Sequence, residues 1–156
     1  MLTDINHIGI NVKDMQASIR FYRDVLGLEQ LGNIVDQKDS CNRVQYMKVP
    51  GGAMIEFIEY YPENKQTGYD DTDAGVIRHI AFTVSSREDL RALYVRLQQA
   101  KAEEFSGITF TEPAYLPYLD LDNLLVRDPN GIELEFCLKR TIGRYDWPQD
   151  LPEKQR

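Results

Sequence analysis

The chain has 156 residues, 28% of them charged, with a formal net charge of −7, two cysteines and two histidines. That length suits one domain, or one domain built of two small halves, and the acidic balance speaks against nucleic acid or a phospholipid face as a partner. No run is long enough for a membrane-spanning helix, the start Met1-Leu2-Thr3-Asp4 lacks the regions of a signal peptide, and Cys41 and Cys137 lack metal-like spacing. The expectation is a soluble, cytoplasmic protein with reduced thiols and no membrane contact.

Residues Ile5 to Val12 alternate as a strand does, with Ile8, Ile10 and Val12 on one face and His7, Gly9 and Asn11 on the other. Asp14 is an N-cap, Met15, Ile19, Tyr22 and Leu26 recur at helical spacing, and Gly27 stops the helix. Leu28 to Val35 reads as a second strand, Asp36 to Ser40 as a polar turn, and Arg43 to Val49 as a third strand. Pro50-Gly51-Gly52 then turns the chain into Ala53 to Tyr60, a fourth strand on which Met54, Glu56 and Ile58 share a face. The stretch from Tyr61 to Gly75 is polar and acidic and reads as a linker. Packing within that loop is the simpler account of Tyr60, Tyr61 and Tyr69.

The same plan restarts at Ile77, with a strand through Val84, a capping box from Ser86 to Asp89, and a helix carrying Leu90, Leu93, Tyr94 and Leu97 inward. Phe105 to Phe110 reads as the next strand and Thr111 to Asp120 as an irregular loop where the second copy is longer. Leu121 to Arg127 and Ile132 to Leu138 form a hairpin around Asp128-Pro129-Asn130-Gly131. The chain is thus expected as one domain over residues 1–140, with modules of about 2–61 and 76–139. A tail follows over 141–156 in which Trp147 could pin an arm.

Two echoes fix the duplication. His7-Ile8-Gly9-Ile10-Asn11-Val12 returns as His79-Ile80-Ala81-Phe82-Thr83-Val84, offset by 72, and Pro50 to Phe57 returns as Pro129 to Phe136, offset by 79. The second module therefore holds an insertion of seven, and each module contributes one histidine and one glutamate, Glu56 and Glu135, at equivalent strand positions. A lone histidine heading a strand is usually structural; it is the repetition that marks these two. A glutamate inside an apolar strand needs a cation, a donor or solvent. For Glu133, on the same face as Glu135, solvent is the expectation. Two imidazoles and two carboxylates suit a divalent first-row ion, and nickel, zinc, cobalt, manganese and ferrous iron all accept such donors. Four protein ligands around a six-coordinate ion leave room for water or a chelating substrate.

The strings beginning at His7 and at Arg78, the helix end Phe21-Tyr22-Arg23-Asp24-Val25-Leu26-Gly27-Leu28, and Asp128-Pro129-Asn130-Gly131 followed by Glu135 together resemble the vicinal oxygen chelate superfamily. It includes glyoxalase I, methylmalonyl-CoA epimerase, extradiol dioxygenases, fosfomycin resistance enzymes and metal-free bleomycin-binding proteins. The resemblance covers about Leu2 to Lys139. It implies an α+β fold of paired βαβββ modules whose curved mixed sheets surround a metal-binding cleft, with His7, Glu56, His79 and Glu135 as ligands. It also implies a homodimer, with the four ligands from one chain or shared between two.

The ligand set is similar to that of glyoxalase I, a lyase in which a metal-stabilised enediolate forms as a carboxylate moves a proton next to a carbonyl. Glu135 is the expected base and Glu56 its partner on the other side. Glutathione-using members carry arginine and asparagine where this chain has Asn11 and Tyr60, so the thiol carrier is open. The alternatives are an acyl-CoA epimerase, whose members resemble a set with glutamine in place of Glu56, an extradiol dioxygenase, for which a third histidine is missing, and a non-catalytic drug-binding protein. The substrate is a small molecule, and Tyr115, Tyr118, Tyr60 and Phe57 either line its pocket or simply pack.

Overall fold

The structure, a computed structural model, describes residues 5–64, 77–117 and 120–139. Tyr69, Tyr118, Trp147 and the tail expected at 141–156 lie outside the described residues. The chain divides into two units, Met1–Val76 with Asp128–Gly131, and Ile77–Arg127 with Ile132–Arg156. Among the described residues no helix is long and apolar enough to cross a membrane.

In the first unit, β1 (His7–Asn11) leads into α1 (Met15–Arg20), followed by β2 (Glu29–Gln37), β3 (Asn42–Lys48) and β4 (Met54–Tyr60), with sheet order β1-β4-β3-β2. Asp14 caps α1 as expected, its Oδ1 accepting the Ala17 amide at 2.9 Å. Beyond Arg20 the helix widens into a π turn, Phe21–Val25, where the Leu26 amide bonds the Phe21 carbonyl five residues back. The widening buries Phe21, Tyr22 and Val25 together, and Leu26, expected in the apolar stripe, is only half-buried. Gly27 ends the turn at φ +84, a left-handed conformation in which a side chain would be strained. The inward face meets β4, where the Tyr22 ring stands edge-on to Phe57 at 4.8 Å.

The second unit repeats the plan with β5 (Ile80–Thr83), α2 (Arg87–Glu103), β6 (Thr109–Phe110), β7 (Ala114–Leu116), β8 (Leu121–Arg127) and β9 (Glu133–Lys139). Its sheet order is β5-β9-β8-β6, with β7 also paired to β8. In both units the first strand runs parallel to the last, which is what a helical crossover between them requires. The α+β class and the duplicated βαβββ plan therefore hold. Ser86 caps α2: its Oγ accepts the Asp89 amide at 3.0 Å and donates to Asp89 Oδ2 at 2.7 Å. Ser86→Ala should cost about 1 kcal/mol in urea unfolding, the usual worth of such a cap.

Three expectations need correction. The stretch Thr111 to Asp120 is not wholly irregular, because Ala114–Leu116 pairs antiparallel with Leu121–Asn123; Pro113 and Pro117, which lack a donor, confine it to three residues. Of Phe105 to Phe110 only Thr109 and Phe110 are strand. Phe105 and Ile108 are buried through a turn closed by Ile108 N–H on the Phe105 carbonyl, a spacing of three rather than two. Nor does the extra length of the second module sit in that loop. Six residues of α1 and five of the π turn stand against seventeen in α2, so six of the seven inserted residues lengthen the helix. Ala100 in the added residues is buried, which holds the extension in place.

Candidate metal-binding and catalytic residues

In the first unit, parallel pairing of β1 with β4 sets Gly9 opposite Glu56, so His7, two residues before Gly9, projects from the same open face as the glutamate. His7 Nε2 lies 3.5 Å from Glu56 Oε2. The ring's other nitrogen, Nδ1, donates to Asn6 Oδ1 at 2.8 Å, which orients the imidazole so that Nε2 faces the carboxylate. Tyr46, directly across from Glu56 in the antiparallel β3–β4 register, donates its hydroxyl to Glu56 Oε1 at 2.8 Å and stands edge-on to the His7 ring. The hydrogen bond to Glu56, then burial and the glutamate's charge, raise the Tyr46 phenol above its ordinary pKa. One carboxylate oxygen is thus held by the tyrosine and the other is turned to the imidazole.

The second unit builds the same arrangement from different neighbours. Ala81 of β5 lies opposite Glu135, and His79, immediately before β5, brings Nε2 to 3.3 Å from Glu135 Oε2. Glu135 Oε1 accepts from Asn123 Nδ2 at 3.2 Å. Cys137, two residues along β9, is a free thiol pushed up to about 12 by burial, followed by the charge and hydrogen bond of Glu135.

Imidazole and carboxylate donors at about 2.1 Å from one ion, in neighbouring positions, lie roughly 3 Å or a little more apart, so each pair, within its own unit, has the spacing and atom types of two donors to a divalent cation. Each pair supplies two donors. Among the described residues, no group of three or more His, Cys, Asp or Glu side chains gathers as a metal site.

A family model described as the glyoxalase/bleomycin resistance protein/dioxygenase superfamily matches residues 4–136. The chain belongs to that superfamily. Among its relatives in the superfamily, an ethylmalonyl-CoA/methylmalonyl-CoA epimerase of Cereibacter sphaeroides is 33% identical over 104 residues, 65% of this chain and 74% of the epimerase. A metallothiol transferase of Lysinibacillus sphaericus is 27% identical over 143 residues, 92% of this chain and 87% of the transferase. A crystal structure of a glyoxylase/bleomycin resistance protein/dioxygenase domain from Frankia sp. EAN1pec matches with a TM-score of 0.75 at 28% identity, covering 92% of this chain and 96% of that one.

Several residues around this superfamily member's pairs escaped the sequence reading. Tyr46 and Asn123 hold the two glutamates; counting back across the first hairpin finds Tyr46 directly opposite Glu56, whereas Asn123 lies opposite Cys137 and reaches Glu135 on the diagonal. Glu133 corrects an expectation outright: its side chain is only 14% exposed, and its Oε2 makes ion pairs with Arg78 at 3.1 Å and Arg127 at 3.4 Å. Register explains it, since Arg127 lies opposite Glu133 beside the turn. Of the aromatic residues weighed as pocket lining, Phe57 is fully buried against Tyr22 and so packs, whereas Tyr115 is exposed and donates to Asp120 Oδ1 at 2.9 Å.

Proposed function

We propose that this chain is a divalent-metal-dependent lyase or isomerase of the glyoxalase I type, which moves a proton at a carbon next to a carbonyl. His7, Glu56, His79 and Glu135 are its metal ligands, drawn from one chain or shared across a homodimer. The observation that carries this reading is the twice-built pair: an imidazole Nε2 within 3.5 Å of a glutamate oxygen whose sister oxygen is held by another side chain. The 27% identical metallothiol transferase supports metal use by its name, and the epimerase supports proton transfer.

Nickel, zinc, cobalt, manganese and iron all suit nitrogen and oxygen donors, and any of them, when bound, polarises a substrate carbonyl oxygen and so lowers the cost of removing a proton from the adjacent carbon. Glu135 takes that proton and Glu56 serves as its counterpart on the opposite side. Asn123 and Tyr46 orient the two carboxylates, so they are positioning residues. Tyr46→Phe and Asn123→Ala should each weaken metal affinity by about 10-fold, the usual effect of losing a partner that orients a ligand, and titration calorimetry with nickel or zinc reads this directly.

The epimerase relative favours a second reading of the same chemistry, in which the carbonyl belongs to an acyl-CoA thioester. Both readings are tested by assaying the metal-reconstituted chain in deuterated water on hemithioacetals, acyl-CoA epimers and catechols. Solvent deuterium at carbon in one of the first two supports proton transfer and names the substrate. Oxygen uptake with ring cleavage would assign a dioxygenase instead, and protein that refuses nickel, zinc and manganese would be a binding module.

A further inference from the structure

Asn42 opens β3, and among the described residues its Oδ1 is the one buried side-chain nitrogen or oxygen without a hydrogen-bond partner, in a residue only 7% exposed. A buried acceptor left unpaired is costly, and the fold gives no reason to keep it. By register Asn42 lies opposite Tyr60 as Leu121 lies opposite Lys139, and Tyr60 and Lys139 share the offset of 79 that relates Glu56 to Glu135. The second module thus has leucine at this position, so the βαβββ plan does not need an amide there.

Alternation puts Asn42 on the same face of β3 as Val44 and Tyr46, whose hydroxyl holds Glu56. Four residues, about 13 Å along the strand, separate Asn42 from Tyr46 and the glutamate opposite it. Val44 and Ile58, opposite one another and apolar, lie between. Gly9 keeps the near end of this strip low: a Cβ there would stand 3.5 Å from both Glu56 Oε2 and Ile58 Cδ1, whereas the second module has Ala81 opposite its glutamate. An apolar strip therefore runs from Glu56 to an acceptor that nothing satisfies. So buried an acceptor suits a neutral N–H donor, since an ammonium would have to shed its water without meeting a charge.

Taking its meaning as a substrate contact from the proton-transfer reading, we infer that Asn42 selects substrates in which a neutral amide N–H is joined by an apolar spacer to the group held beside Glu56. Val44 and Ile58 carry the spacer, and Asn42 Oδ1 accepts from the amide. Asn42 takes no part in proton transfer.

The probes are N-butylacetamide and methyl pentyl ketone, which differ only in that the ketone has a methylene where the amide has its N–H. Each is titrated into the full chain while the Val44 and Ile58 methyl resonances are followed by NMR. Saturable shifts are expected, with the amide bound about 10-fold more tightly than the ketone, the worth of satisfying a buried acceptor. In Asn42→Leu the preference should vanish while the ketone still binds, and the urea midpoint should not fall, because an unpaired acceptor has been removed. Neither probe reacts and neither requires a metal. A chain that binds them as expected yet moves no solvent deuterium into any substrate therefore keeps this inference and loses the proton-transfer reading. Equal binding of the two probes, a preference that survives in Asn42→Leu, or no saturable shift with either would overturn the inference. A fall in the urea midpoint of Asn42→Leu alongside equal probe binding would make Asn42 a structural residue.

Discussion

Glu135→Gln should lower the rate of solvent deuterium incorporation into substrate by about 100- to 10,000-fold, the usual contribution of a positioned general base. The substitution is nearly isosteric, and a glutamine oxygen can still accept from Asn123, which now bonds Glu135 Oε1 at 3.2 Å, so the local fold should survive. What disappears is the negative charge beside His79 Nε2 and the ability to take up a proton. Loss should therefore fall on kcat more than on KM, because the base acts in the transition state and not in substrate binding. Glu56→Gln separates the roles of the two carboxylates: a smaller kcat loss makes Glu135 the base, and equal losses make them a working pair. A Glu135→Gln chain with unimpaired exchange would remove this residue from the chemistry.

The second large effect is on stability. Asp128 is 2% exposed, and its carboxylate accepts from the Tyr22 hydroxyl at 3.0 Å, the Asn130 amide at 2.9 Å and the Asn130 side chain at 3.0 Å. The turn it opens belongs to the first unit, where Asn130 also bonds Ser18 Oγ and the Lys13 amide. Asp128→Ala strands buried donors at once and should cost about 3 kcal/mol, or roughly 6–12 °C in Tm for a chain of this size. Tyr22→Phe removes one bond to a charged acceptor and should cost about 1.5–3 kcal/mol.

A pH signature accompanies it. Burial, then the charge of Asp128 and its hydrogen bond, raise the Tyr22 phenol well above its ordinary value near 10. Above that value the unfolded chain has lost the proton that the folded chain keeps, so stability present at neutral pH falls as pH climbs past about 10. Urea unfolding at pH 8 and 10.5 should show a smaller loss in Tyr22→Phe than in the unsubstituted chain. Equal losses would mean that Tyr22 ionises as freely folded as unfolded.

Tyr22 also shows where reading the sequence ran out. Its helical spacing marked it as core, but nothing in that spacing tells which polar group meets its hydroxyl, since Asp128 is more than a hundred residues away. His7, Glu56, His79 and Glu135 were legible for a different reason: duplication supplies an internal control, and a residue type kept at the same strand position twice stands out from a chance histidine. Tyr46 and Asn123 have no such echo, because each module holds its glutamate with a different residue from a different register position. For Glu133, alternation gives the face of the side chain and not its neighbours; Arg127 becomes its partner only once β8 and β9 pair. Prolines mark irregular chain and so point to the loop at 111–120 as the site of the second module's extra length, yet a helix absorbs added turns without disturbing the strands at its ends.

The most direct test of the account is metal stoichiometry and affinity in the unsubstituted chain, His7→Ala and His79→Ala, each reconstituted with nickel, zinc and manganese. One divalent ion per chain, with tight binding lost when either histidine is removed, is the predicted result, since the proposed function has a single ion drawing on both pairs. Unchanged binding in either variant, or two independent ions that each depend on one histidine alone, would contradict it.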